Sequence, residues 1–138
     1  MKAPAFDYAR PKDVASAVKL LAEGGRPAAG TQSLGPMLNL RVAHPTLLVD
    51  LRGIEELRSV SESETSVTLG ACITHAQIED RKVPDPTGGM MTSVAASIAY
   101  RAVRNRGTIG GSLAHADPAA DWPTALTLLN AVVLIDGP

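Results

Sequence analysis

The stretch Ala28-Ala29-Gly30-Thr31-Gln32-Ser33-Leu34 decides how the first part of the chain folds. Residues 26–29 read as a short strand. Residues 34–41 read as a helix, with Leu34, Met37, Leu38 and Arg41 near one face. A turn between a strand and a helix exposes backbone N–H groups and the positive end of a helix dipole. Glycine at position 30 lets the backbone approach an anion with no Cβ in the way. The side chains of Thr31, Gln32 and Ser33 add donors. The plain alternative is a simple connection in which Ser33 caps the helix.

Working outward, residues 5–8 read as a strand, and Pro11 opens a helix with Asp13 near its positive end. Val14, Ala17, Val18 and Leu21 give that helix an apolar stripe, and Gly24-Gly25 ends it. Residues 47–50, Leu-Leu-Val-Asp, read as a buried strand. The order strand, helix, strand, helix, strand predicts a small βαβ-type layer over residues 1–55.

After Gly53 the pattern changes. Residues 57–61 and 66–70 are β-like runs joined by the polar Glu62–Thr65, which predicts a hairpin. Thr74 is placed to cap a helix running from His75 to Glu79. Two prolines and two glycines make residues 80–89 a loop. Residues 90–103 read as a buried helix, 104–112 as a polar glycine-rich turn, 121–130 as a helix and 131–136 as a strand. Gly137-Pro138 is a turn signal after an apolar strand that needs a partner, so the domain is expected to continue past Pro138. The alternative is that this strand sits at an edge or pairs with an earlier one.

Composition narrows the function. Apolar residues at 45% and charged residues at 20% fit an ordinary soluble globular domain. Aromatics at 3% leave no base-stacking platform, and a net charge of −1 leaves no basic footprint for nucleic acid. The single cysteine, Cys72, can close no intrachain disulfide and hold no iron–sulfur cluster alone, which makes a cytoplasmic setting the default expectation. The first residues lack the apolar run of a secretory signal, and no stretch of about 18 apolar residues predicts a transmembrane helix.

A second turn, Arg106-Gly107-Thr108-Ile109-Gly110-Gly111-Ser112, pairs two glycines with flanking hydroxyls and nearby Arg104 and Arg106. Paired glycines permit positive φ and an anion-binding nest of successive amides; the alternative is a tight turn between core elements. The G-x-G-x-x-G and G-x-x-x-x-G-K-[ST] nucleotide motifs are absent, as are C-x-x-C, H-E-x-x-H and G-x-S-x-G. Neither a zinc site nor a nucleophile elbow is expected, and no catalytic or metal-ligating set is assigned.

Taken in order, AGTQSLGPMLNLR, LLVDL, LGACITHAQIED and RNRGTIGGSLAHADPAADWPTAL resemble the flavoprotein (medium) subunit of the molybdenum hydroxylases, the carbon monoxide dehydrogenase and xanthine dehydrogenase group. The resemblance runs from about Phe6 to Asp136. It implies an α+β, PCMH-type FAD-binding fold, with a small βαβ subdomain over 1–55 and the first part of a second subdomain of antiparallel strands and helices over 56–138. It implies that FAD lies between the two. By position, Ala29, Gly30, Thr31, Gln32 and Ser33 form one pyrophosphate loop, and Thr108, Ile109, Gly110, Gly111 and Ser112 the other. Asp121 matches a family aspartate that contacts the ribityl region. The family's molybdopterin cofactor sits on a large subunit and its 2Fe–2S clusters on a small subunit, and electrons pass through them to FAD and on to an external acceptor. Many members have Gly-Gly where this chain has Gly30-Thr31, and family subunits extend well beyond this length. The rival expectation is a non-catalytic remnant that packs against partner subunits without retaining FAD.

Single residues divide between roles. Asp121 suits both a helix cap and a cofactor contact. His115 and Asp117 read as cofactor surroundings rather than a catalytic pair, because the hard chemistry is the cofactor's. His75 reads as structural, His44 as surface loop, and Cys72 as buried. Arg101, Arg104 and Arg106 can face the pyrophosphate, a partner or water. Trp122 reads as a core or interface residue more than a cofactor shield.

Overall fold

The computed structural model describes residues 2–137. Strands β1 (Asp7–Ala9), β2 (Arg26–Ala28) and β3 (Leu47–Asp50) form one parallel sheet in the order β1-β3-β2. The central strand, β3, carries the buried Leu48, Val49 and Asp50, as expected of a strand flanked on both edges. Helix α1 (Val14–Ala22) follows Asp13, whose carboxylate accepts from the Ser16 amide at 2.7 Å; Asp13 therefore caps the helix. Ala17 packs with Val49 and Ile54, and Val14, Leu20 and Leu21 cover that cluster. At the C-terminal end of β3 the buried Asp50 carboxylate accepts from Tyr8 and from the Arg52 guanidinium, the latter at 2.8 and 2.9 Å. The Arg52 bonds hold its pKa far below the usual carboxylate range. Helix α2 (Leu34–Asn39) returns the chain from β2 to β3.

Beyond Ile54 a short 3-10 turn occupies Glu56–Arg58, part of the run the sequence assigns to a strand. The antiparallel hairpin is therefore shorter than expected: β4 (Val60–Glu62) pairs with β5 (Val67–Leu69). Helix α3 (His75–Glu79) starts from a complete capping box between Thr74 and Gln77, which fulfils the expectation for Thr74. Helices α4 (Met90–Ser97), α5 (Arg101–Arg104), α6 (Ile109–His115) and α7 (Asp121–Leu128) follow. Ile73, Ile78, Val83, Met91, Ala95, Ile109, Trp122 and Ala125 build a second core.

Three readings are corrected. The helix expected over 90–103 breaks after Ser97, with Ala99 at φ 42°. No proline or glycine marks the break. It is held by Arg104, whose guanidinium donates to the Ile98 and Ala99 carbonyls at 3.0 Å each and to Glu79. The turn expected over 104–112 becomes helix from Ile109 onward. Residues 131–136 form no strand: Val132, Leu134 and Ile135 stand exposed, because a strand needs a ladder partner and none lies beside this run among the described residues.

Candidate functional site

The two glycine-containing turns meet. A Cβ at Gly30 would lie 2.1 Å from the Arg106 carbonyl oxygen and 2.7 Å from the Gly107 Cα, so only glycine lets the loops touch here. A bridge between Thr74 and Thr108 ties the second turn to the start of α3, through His75 N–H to Gly107 O at 2.9 Å and Ile109 N–H to Ile73 O at 3.0 Å. Between the turns opens a cleft of about 450 Å³. That is within the usual range for a small-molecule pocket. Ala29, Gly30, Thr31, Gln32 and Ser33 line it from the first turn, Thr108, Gly110, Gly111 and Ser112 from the second, and Asp121 lines it as well. Of the sequence-assigned residues, Ile109 does not line the cleft: its side chain is buried in the second core.

The two walls offer different chemistry. No acceptor among the described residues takes the N–H groups of Gly30, Thr31, Gln32 or Ser33. Gln32 folds its amide back onto the Gly30 carbonyl at 2.8 Å, which keeps that loop compact. Ser33 occupies the cap position of α2, yet its side chain makes no capping bond, so the plain capping role does not account for it. Thr31 sits at φ 56°, a left-handed conformation that a β-branched residue adopts only under strain.

The second wall is not a nest. Gly110 and Gly111 lie inside α6 and are not among the glycines with positive φ. Their amides are committed: Gly110 N–H to Ala71 O at 2.9 Å, and Gly111 N–H to Thr108 Oγ1 at 3.1 Å. Ile109 and Ser112 likewise donate within the chain, to Ile73 and Thr108. What this wall offers is a glycine surface free of side chains, with the hydroxyls of Thr108 and Ser112.

Charge is placed unevenly. Arg101 and Arg104 turn away, into ion pairs with Glu79 and Asp80 at 2.7–2.8 Å. Arg106 contributes its carbonyl to the loop junction and its side chain stays outside the cleft lining. The cation that does line the cleft is Arg26, at the start of β2, which sequence reading missed. Its strand position shortly before the glycine turn was the available signal. Asp117 and Asp121 line the cleft as exposed carboxylates. Asp121 is the first residue of α7 rather than its cap, which is Ala120. Asp117 accepts from Ala119 N–H at 2.9 Å and makes no bond to His115, so these two are not a catalytic pair. Cys72 is buried beside the cleft, and burial pushes its thiol up to about 11. His75 is buried as well, and Trp122 is a core residue.

The family model described as the FAD binding domain in molybdopterin dehydrogenase matches residues 4–138. The 6-hydroxypseudooxynicotine dehydrogenase complex subunit alpha of Paenarthrobacter nicotinovorans is 44% identical over 136 residues, which are 96% of this chain and 46% of that protein. The carbon monoxide dehydrogenase medium chain of Hydrogenophaga pseudoflava is 38% identical over 98% of this chain and 48% of its own length. The crystal structure of quinoline 2-oxidoreductase from Pseudomonas putida 86 superposes with a TM-score of 0.81 at 43% identity, over 89% of this chain and 44% of that one. The chain thus spans about half the length of the curated relatives it matches. No helix among the described residues is long and apolar enough to cross a membrane. With the family model matching nearly the whole chain and the fold shared with solved relatives, the chain belongs to the family of FAD-binding domains of molybdopterin dehydrogenases.

Proposed function

We propose that this chain forms the diphosphate-binding part of an FAD site in the electron-transfer subunit of a molybdenum-dependent hydroxylase or dehydrogenase. The observation that carries the reading is one cleft lined by both turns, in which the Gly30–Ser33 amides have no acceptor among the described residues and Gly110 and Gly111 leave room opposite. Open N–H donors suit a diphosphate, and charge-assisted bonds to it are strong. Arg26 adds positive charge to the cleft lining. Asp117 and Asp121, which repel phosphate, suit hydroxyl donors of a ribose or ribityl chain. This polarity orients the cofactor, with phosphates toward Gly30–Ser33 and hydroxyls toward Asp121. In this reading Ala29 and the residues from Thr108 to Ser112 shape the pocket, and Ile109 holds α6 in place from the core.

When bound, FAD supplies the redox chemistry that relays electrons from 2Fe–2S clusters of a small partner subunit, fed by molybdopterin on a large one, to an external acceptor. The chain's own residues bind and orient the cofactor and serve as neither acid, base nor nucleophile. The rival reading, a remnant that packs against partners without retaining FAD, draws on the exposed apolar run Val132–Ile135. Reconstitution separates them. The purified chain is mixed with FAD, desalted, and its visible absorbance measured. Retained stoichiometric flavin supports the first reading; a folded chain that emerges without flavin supports the second.

A further inference from the structure

His75 faces the cleft with its hydrogen-bonding capacity half used. The residue is 5% exposed. The Trp122 indole N–H donates to His75 Nδ1 at 3.1 Å. An indole nitrogen only donates, so Nδ1 is the acceptor and the neutral ring carries its proton on Nε2. Burial keeps the ring neutral by pushing its pKa down to about 4. No acceptor among the described residues takes the Nε2–H. Every side-chain nitrogen or oxygen sealed from solvent among them has a partner. Nε2 therefore opens outward, and the opening available to it is the cleft that His75 lines.

Its position is specific. A Cβ at Gly107 would lie 2.7 Å from Nε2, and a Cβ at Gly30 would lie 2.7 Å from the Gly107 Cα. The donor thus emerges beside Gly107, where the two loops touch, in the cleft that Gly30–Ser33 also line. A histidine serving packing alone would be satisfied at both nitrogens or turned into the core.

We propose that His75 is a binding residue that donates its Nε2–H to a diphosphate oxygen of the nucleotide in the cleft, with Trp122 fixing the tautomer that makes this possible. The inference rests on the FAD reading above and adds to it a neutral side-chain donor at the loop junction.

The test is nuclear magnetic resonance on the unmutated, 15N-labelled chain, following the His75 Nε2–H signal as FAD, ADP or riboflavin is added. FAD and ADP are expected to slow its exchange with water and shift it downfield, while riboflavin, which lacks the diphosphate, leaves it unchanged. Flavin retained by the chain with an unaltered Nε2–H overturns this inference alone. Failure of the chain to bind FAD or ADP overturns the FAD reading and this inference with it. Two variants supply a second measurement, each checked first by thermal melting. His75→Gln keeps an N–H donor and an acceptor for Trp122, and is expected to hold FAD within about threefold of the parent; His75→Phe removes the donor, and a loss of roughly tenfold or more is expected for FAD with none for riboflavin. A folded His75→Phe chain that binds FAD as tightly as the parent overturns the proposal.

Discussion

Trp122 and His75, 47 residues apart in sequence, are joined by an indole-to-imidazole hydrogen bond of 3.1 Å, with ring centroids 6.1 Å apart. The bond links α7 to α3 across the second core and fixes which imidazole nitrogen carries the proton. It also makes the fold sensitive to acid, because protonating Nδ1 would set N–H against N–H inside a desolvated site.

That sensitivity has a defined window. The folded-state value of about 4 lies below the ordinary 6.5, so protons bind the unfolded chain more readily. The stability contributed by neutral His75 is complete above pH 6.5 and is lost as the pH falls toward 4, amounting to about 3 kcal/mol. Asp80 and Asp85, whose bonding partners lower them to about 2, lose their contributions only at more acid pH. Urea midpoints measured from pH 7 to 4.5 should fall for the parent chain and stay nearly flat for His75→Gln. Parallel slopes would show that His75 is not the titrating group.

Thr31 should respond in the opposite direction to most loop substitutions. Its φ of 56° costs a β-branched residue about 1–2 kcal/mol, partly offset because glycine has more entropy to lose on folding. Thr31→Gly is expected to raise stability by up to about 1 kcal/mol and to keep the open amide at this position. A lower melting midpoint for that variant would mean the Thr31 side chain contributes more than its backbone strain costs.

Arg104 bridges a helix break that no residue pattern announced. It binds the Ile98 and Ala99 carbonyls and both oxygens of Glu79, a planar arrangement that a single ammonium cannot reproduce. Arg104→Lys is therefore expected to lower the denaturation midpoint by more than Arg101→Ala, which removes the more exposed ion pair. Equal losses in the two variants would assign the break to α4–α5 packing instead.

The contrast between these residues shows what sequence could reveal. The parallel layer was legible because Gly24-Gly25, the Gly30 turn and the Leu47–Asp50 run are local signals with one common solution. The capping box at Thr74 was legible for the same reason. The break at Ala99 was not, since it depends on a guanidinium reaching back from Arg104. The apolar run at 131–136 carried strand propensity, but propensity does not supply a ladder partner. In the site, the motifs located both loops, while their division of labour depended on long-range bonds. The acceptors for Ile109 and Gly110 sit on Ile73 and Ala71, far back in the chain. The cleft-facing donor of His75 was hidden likewise, because it follows from a bond to Trp122.

Adjacent glycines in α6 should separate fold from ligand binding. A Cβ at Gly110 would lie 2.5 Å from the Ala71 Cβ and 2.7 Å from both its Cα and its carbonyl oxygen, against backbone that cannot yield without displacing α6. A Cβ at Gly111 would meet only the Thr108 hydroxyl, at 2.8 Å, a side-chain atom that can rotate away. Gly110→Ala is therefore expected to cost about 1–3 kcal/mol through overpacking. Gly111→Ala should cost about 1 kcal/mol, the value of a lost capping bond, and stay folded. The longer side chain of Gly111→Val would project from a residue that lines the cleft, so this variant should fold and yet retain less flavin after desalting. Melting curves and flavin absorbance on the same samples check both points. If Gly111→Val folds and holds flavin as the parent does, the glycine wall does not contact the cofactor, and the open amides of Gly30–Ser33 hold the diphosphate without it.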